Sequence, residues 1–473
     1  MTGWGFGRWA RGLAVGMTAC AAWPVAPFSA SADTLEGALA LAYQNNPSLN
    51  SQRALVRATD ENVPQALAGY RPKINANASI GTQYWDTTSR LTSSGLGAAY
   101  LQQSGQMTPY GYGVTATQTL YNGFQTSNKT RQAESQVQAA RETLRTSEQT
   151  VLLSAVTAYM NLLRDGAILD LQRRNVEVLQ EQLRQTRDRF NVGEVTRTDV
   201  AQSESRLASG RSQVLSAEAT YKASVATYRQ VIGVQPGKLT PGSPVDRFSP
   251  SNLPTAIGVA TATHPTVTSA QYNVDAALLQ VKVAEGSLYP TLSLQGSALQ
   301  SNESSLTSLK SFNAAVLGQL TIPIYQGGAE YSLIRQAKET LGQRRLDLDT
   351  ARDQARQTVV QSWGQLEAAK ANIDATQAQV QASEIALNGV REEARVGQRT
   401  TLDVLNAQQE LVNARVALVS AQRDRVVASY TLLSAVGRLA PQVLGLRAPV
   451  YDSNVHYQQV RDSWVGVRTP DGR

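Results

Sequence analysis

Past its N-terminus this chain lacks long apolar runs, and it lacks most of the residues that carry chemistry. No stretch of 18 apolar residues follows the N-terminal segment, so no membrane-spanning helix is expected. The 473 residues include one Cys and two His. His264 and His456 have neither Cys nor clustered acids at ligand spacing, so no metal site is read. There is no Gly-rich phosphate loop and no grouping of nucleophile, base and orienting residue. No cofactor and no enzymatic activity are expected. Charge of one sign is scarce too: 44 Lys and Arg stand against 37 Asp and Glu, a net +7. The charges are interspersed along polar helix faces, with no basic block carrying interleaved aromatics, and nucleic acid is not an expected partner.

What is present begins with an export signal. Arg8 and Arg11 precede a mostly apolar Leu13 to Val25, and Ala30-Ser31-Ala32 offers a small-residue cleavage site. Residues 1–32 therefore read as a secretory signal peptide. Cys20 lies inside it; lipidation is the alternative there, against a poor match at Met17-Thr18-Ala19. Cleavage after Ala32 leaves a mature chain without Cys, which needs no disulfide in an oxidising compartment.

The remainder is one design written twice. Pro47 and Pro72 correspond to Pro265 and Pro290 at an offset of 218; from Tyr121 and Tyr325 onward the offset is 204, without a gap, to Gly233 and Gly437. The division read is a first repeat at 33–233, a Pro/Gly/Ser linker at 234–255, a second repeat at 256–437 and a tail at 438–473. The tail has no clear period and is either a belt on the helices or disordered.

Each repeat opens with short helices, about 34–45 and 49–69, then 255–262 and 267–287. Two period-two segments follow in each, about 73–85 and 110–121, then 291–299 and 312–324. Aromatic residues Trp85, Tyr121, Tyr289 and Tyr325 mark their ends. Small residues alternate with Asn, Ser and Thr, as in membrane β-strands; a half-buried antiparallel sheet is the alternative. The stretches 86–109 and 300–311, rich in Ser, Gly and Thr, read as exposed loop tips.

Long helices complete each repeat. From about 126 to 191 and 329 to 395 there is no Pro, and apolar residues recur every seven, as in Ala155, Leu162, Leu169, Val176 and Leu183. Such a helix would run about 100 Å, and its strict heptad implies supercoiling against neighbours. Return helices at about 198–232 and 401–436 keep that period, with small residues Ala407, Ala414, Ala421, Ala428 and Ala435 in one row. The turns between are VGEVTRTDV from Val192 and VGQRTTLDV from Val396, centred on Gly193 and Gly397. Thr196-x-x-Asp199 and Thr400-x-x-Asp403 both have capping-box spacing. Four strands cannot close a barrel, and lipid tolerates no open edge, so several copies must contribute.

Through FNVGEVTRTDV at 190–200, RVGQRTTLDVLNAQ at 395–408, LYNG at 120–123, IYQGG at 324–328 and the duplicated prolines, the chain resembles the TolC family of outer-membrane channel proteins. The resemblance covers essentially the whole mature sequence. It implies a mainly α fold with a membrane β-barrel, four strands per chain, and a homotrimer with a twelve-stranded barrel and a twelve-helix periplasmic tunnel. It implies a site in the outer membrane of a Gram-negative bacterium. The partners implied are a periplasmic adaptor and an inner-membrane translocase, ABC-type or proton-driven, for type I protein secretion or small-molecule efflux. The family's periplasmic gate maps onto the hairpin tips. Asp403 matches a pore-lining acid, and Arg399 a residue that ties neighbouring coiled coils, with Thr198 and Asp199 as its partners. Asn406 stands where well-known members have a second acid, and Ala394 where they have a Tyr, so this gate is expected to be less acidic and less tightly latched. A local capping role for Asp403 and Asp199 remains compatible with these roles. The alternative reading of the chain is a periplasmic coiled-coil adaptor without a pore.

Overall fold

A computed structural model describes residues 34–91, 99–305, 308–470 and 472. The expected signal peptide at 1–32, with Cys20, lies outside the described residues. Helix α1 (Leu35–Asn45) starts on Thr34, whose side chain accepts from Gly37 N at 3.1 Å. It stops at Asn46, because Pro47 disfavours a helical residue before it. The same Asn46 then caps α2 (Pro47–Asp60) by accepting from Ser48 N and Leu49 N. A short α3 (Asn62–Leu67) leads to the strands β1 (Lys73–Ile80), β2 (Gln83–Leu91), β3 (Ala99–Met107) and β4 (Tyr110–Asn122). The long hairpin α4 (Gln125–Asn191) and α5 (Arg197–Ile232) closes the first half. The second half repeats this plan: α6 (Leu253–Thr263), α7 (Pro265–Glu285), β5 (Thr291–Ser305), β6 (Ser308–Thr321), α8 (Ala329–Arg395) and α9 (Thr401–Ala435). His264 takes the place of Asn46: its Nδ1 accepts from Thr266 N at 3.2 Å and caps α7. Burial holds its pKa below the usual range, which keeps that acceptor unprotonated.

Strands β1, β4, β5 and β6 form one antiparallel sheet in that order, so β1 and β6 are its edges. Three sequence-based expectations need correction here. The first segment is interrupted after Ile80, and 86–109 is not a loop: β2 and β3 pair as a separate two-stranded ribbon, Trp85 opposite Gly105. Likewise β5 and β6 extend through 300–305 and 308–311, leaving a much shorter tip than the expected 300–311. The register explains the stable sheet. Ala76, Val114, Ala298 and Ala314 lie in one cross-strand line, and Ile74, Ala116, Gly296 and Val316 in another, all on one face. Asn75, Thr115, Ser297 and Ala315 line up on the opposite face. Residues directly opposite share a face, so one side is apolar and the other largely polar. No helix among the described residues is long and apolar enough to cross a membrane.

Helices α4 and α8 have 67 residues each, about 100 Å at the α-helical rise. Near the sheet, α2 and α7 pack beside them; at the far end α5 and α9 take over. The heptad rows are buried where helices meet: Ala155, Leu162, Leu169 and Leu183 on α4, and Val359, Leu366 and Leu387 on α8. Gly210 on α5 shows why small residues recur, since a Cβ there would come within 2.9 Å of Leu179 Cδ1. The main core sits midway, where α1, α4, α5, α9, the linker and the tail converge on the fully buried Tyr43, Tyr159, Tyr228 and Tyr430. Arg425, which interrupts an apolar row of α9, is ion-paired there with Asp246 of the linker. The tail is a belt: α10 (Ser453–Val460) docks through His456 Nδ1, 3.1 Å from the buried Asp60 Oδ2.

Candidate functional site at the hairpin tips

Both hairpins end in the same turn. At the first, Gly193 has φ 84°; Gly193 N donates to Phe190 O at 3.0 Å and Glu194 N to Arg189 O at 2.9 Å. At the second, Gly397 has φ 82°, with Gly397 N to Ala394 O at 3.2 Å and Gln398 N to Glu393 O at 2.9 Å. This doubly bonded helix end requires a left-handed residue, which Gly supplies without Cβ strain. Each return helix then starts under a capping box. Thr400 N and Oγ1 donate to Asp403 Oδ2 at 3.0 and 2.8 Å, and Asp403 N donates back to Thr400 Oγ1 at 3.2 Å. Thr196 and Asp199 repeat the pattern at 2.9, 2.6 and 3.3 Å. Backbone and side-chain bonds from Thr400 hold the Asp403 carboxyl below the usual carboxylate range. Asp199 is lowered likewise, the Thr196 hydroxyl contributing most. The caps expected from sequence are present, and only Oδ2 takes part in either.

The tips differ in how their turns are braced. In the first, Arg189 on the outgoing helix bonds Glu194 in the turn at 3.0 Å. In the second, Glu393 occupies the helix position and accepts from Arg399 Nε in the turn at 2.8 Å. The polarity of the brace is inverted between the copies. Two residues back along each outgoing helix, Arg187 bonds Glu204 at 2.5 Å, and its counterpart Arg391 bonds Gln408 at 3.0 Å. Arg399 is therefore engaged by its own tip, with Asp403 adding a weaker attraction. Among the described residues no hydrogen bond or ion pair joins it to Thr198 or Asp199. Thr198 is exposed and Asp199 half-buried.

Asn406 has an assigned contact. Its Oδ1 accepts from Arg206 Nη2 at 2.7 Å, joining the second hairpin to the first. Beside it Leu405 packs with Leu179, Leu183 and Leu207. Sequence reading missed Arg206 and Glu393. The repeat alignment held a signal for Glu393, which pairs with Arg189 at the 204 offset. Ala394 contributes only its carbonyl to the turn. The four aromatic residues do not form one group. Tyr121, Tyr289 and Tyr325 border the helical end of the sheet, with Tyr121 edge-on to Phe124 at 5.5 Å, whereas Trp85 sits in the distal ribbon.

The arrangement is an exposed sheet with one apolar face at one end of a long helical body and two acid-bearing tips at the other. A family model described as "Outer membrane efflux protein" matches residues 38–234 and 256–438. The chain belongs to that family. The match passes over residues 235–255. Among relatives, the outer membrane efflux protein BepC of Brucella suis is 44% identical, over 94% of each chain. The outer membrane protein TolC of Escherichia coli is 28% identical over 75% of this chain and 76% of its own. Among solved structures, the CmeC outer membrane channel of Campylobacter jejuni superposes with a TM-score of 0.73 at 18% identity, covering 90% of this chain and 89% of that one. As a member, the chain is an outer-membrane export channel whose helices project into the periplasm. Nothing in these relationships supports the adaptor alternative.

Proposed function

We propose that the chain works as a homotrimeric exit duct, gated at its periplasmic tips and fed by an inner-membrane pump through a periplasmic adaptor. The observation that carries this is the sheet. Its edges β1 and β6 run in opposite directions, so β6 of one copy can continue the antiparallel order against β1 of the next. Lipid requires such closure. Two copies would give an eight-stranded barrel filled by its own side chains; three leave a bore. The apolar face meets lipid and the Asn, Thr and Ser face lines the lumen.

At the other end, threefold symmetry gathers three copies of Asp403, capping its helix and lining the entrance, with Asn406 tied to Arg206. Arg399 secures the second tip through Glu393 and, in the trimer, lies within reach of Thr198 and Asp199 of the neighbouring copy. An exposed ion pair is worth little by itself, so the latch works through threefold repetition. Arg399→Ser is expected to raise the open probability of the closed channel in planar-bilayer recordings. An unaltered open probability would remove Arg399 from the gate. The duct itself is tested by fractionation: the protein is expected in the outer-membrane fraction, released only by detergent, as trimers. Recovery in soluble periplasm would refute it.

A further inference from the structure

The tail leaves the central core and climbs towards the sheet. Tyr451 N donates to Tyr43 Oη at 3.2 Å. Arg141 Nη1 donates to Asn454 Oδ1 at 2.6 Å and its guanidinium lies 5.2 Å from the Tyr457 ring centre. Beyond α10, Arg71 Nη1 donates to Ser463 O at 2.6 Å and its guanidinium lies 4.6 Å from the ring centre of Trp464. Arg71 stands two residues before β1, an edge strand. The chain has thus been fastened at successive points to deliver Trp464 to the foot of that edge. There it presents an apolar group that packs on little: Val465 is 90% and Val467 100% exposed, and Trp464 is exposed too.

A second unpacked apolar group lies at the foot of the other edge. Strand β6 ends at Thr321, and after it Ile322, Ile324 and Tyr325 are exposed, Ile324 at 91%. Both feet are at the helical end of the sheet, since β1 begins there and β6 finishes there. In one copy these groups are separated by the width of the sheet. Closing β1 of one copy against β6 of the next brings them to the same seam.

We propose that Trp464, Val465 and Val467 of each copy clasp the Ile322–Tyr325 segment of the adjacent copy, sealing the barrel seam on its periplasmic side. The clasp rests on the trimeric reading above. Its occupant is a second copy of this chain rather than lipid, because the contact continues the edge pairing that closure demands and covers two exposed apolar groups at once. The ends of both groups lie outside the hydrogen-bonded ladder, so side-chain packing is what joins the copies there.

The test uses the full chain carrying Cys20→Ser, with Val465→Cys and Ile324→Cys combined, treated with a short bis-maleimide in outer membranes. The expected result is a covalent trimer as the main product on a denaturing gel, absent from either single-Cys variant. A non-denaturing mass measurement in detergent is run on the same sample. Trimers by mass that run as uncross-linked or internally looped monomers on the gel overturn the clasp and leave the trimer standing. Monomers by mass overturn the trimer itself, and the clasp with it. The lipid alternative is read in a Trp85→Phe/Trp363→Phe background. Strong quenching of Trp464 fluorescence by brominated phospholipid, without cross-linking, gives the segment to the membrane and overturns the clasp; weak quenching with cross-linking supports it.

Discussion

Asp403→Asn is expected to abolish most of the channel's preference for cations in planar-bilayer recordings while leaving trimer assembly intact. The substitution keeps an oxygen at the N3 position, able to accept from Thr400 N as the carboxylate does at 3.0 Å, so the helix start survives. What disappears is one charge per copy at the narrowest part of the proposed entrance, three in all, where facing walls of low dielectric concentrate the field. Asp199→Asn is the matched control. Its cap has nearly the same geometry but its helix belongs to the first hairpin, and selectivity is expected to hold. Equal behaviour of the two variants would reduce Asp403 to a cap. The pH dependence follows from the same bonds. Within one copy Thr400 holds the Asp403 carboxyl below its usual range; three such carboxylates gathered at one axis repel one another and work against that shift, so a cation preference that persists below the ordinary Asp value of about 4 would show the caps prevailing, and one that fades above it the repulsion. For the cap alone the linkage has the same sign: a depressed folded pKa favours the folded tip above the unfolded pKa, and that advantage is lost as pH falls through the folded value.

How much of this could be read from sequence depended on whether the signal was local. The 204-residue register and the heptads at Ala155, Leu162 and Leu169 reflect packing that repeats every two turns, so the long helices and their turns were legible to within a few residues. Capping boxes are equally local, spanning four residues. The β2–β3 ribbon was not legible because its two strands pair only with each other outside the four-stranded sheet. With no single buried face, nothing imposes apolar alternation on its Ser, Gly and Thr. Partners far apart in sequence were equally hidden: Arg206 and Asn406 are 200 residues apart, and Arg425 and Asp246 are 179 apart. Nothing local to Arg425 points to Asp246. The inverted braces, Arg189–Glu194 and Glu393–Arg399, show the limit of the repeat itself. Duplication conserves the turn, while the charges that fasten it have been exchanged.

Gly123→Ala should cost far more stability than Gly327→Ala, although the two glycines are equivalent positions of the repeat. Each lies where a strand hands over to a long helix, and each has positive φ, 63° and 72°. Placing Ala in a left-handed conformation costs about 1–2 kcal/mol at either site. Their surroundings then separate them. A Cβ on Gly327 meets nothing within 4 Å, whereas a Cβ on Gly123 would overlap Gly286 O and come within 2.8 Å of Tyr289 Cβ. Gly286 is equally confined, since a Cβ there would lie 2.7 Å from Gly123 O. Here the exit of the first pair of strands crosses the entry to the second on bare backbone, and backbone cannot step aside as a flexible side chain would. Overpacking of this kind adds about 1–3 kcal/mol, giving Gly123→Ala a total penalty of roughly 2–5 kcal/mol. The junction joins sheet to tunnel in every copy, so the loss is multiplied threefold in a trimer. Heating the detergent-solubilised protein before a denaturing gel should show Gly123→Ala trimers falling apart at a distinctly lower temperature than Gly327→Ala trimers. Coincident transitions would mean that the two halves are not fastened at this crossing.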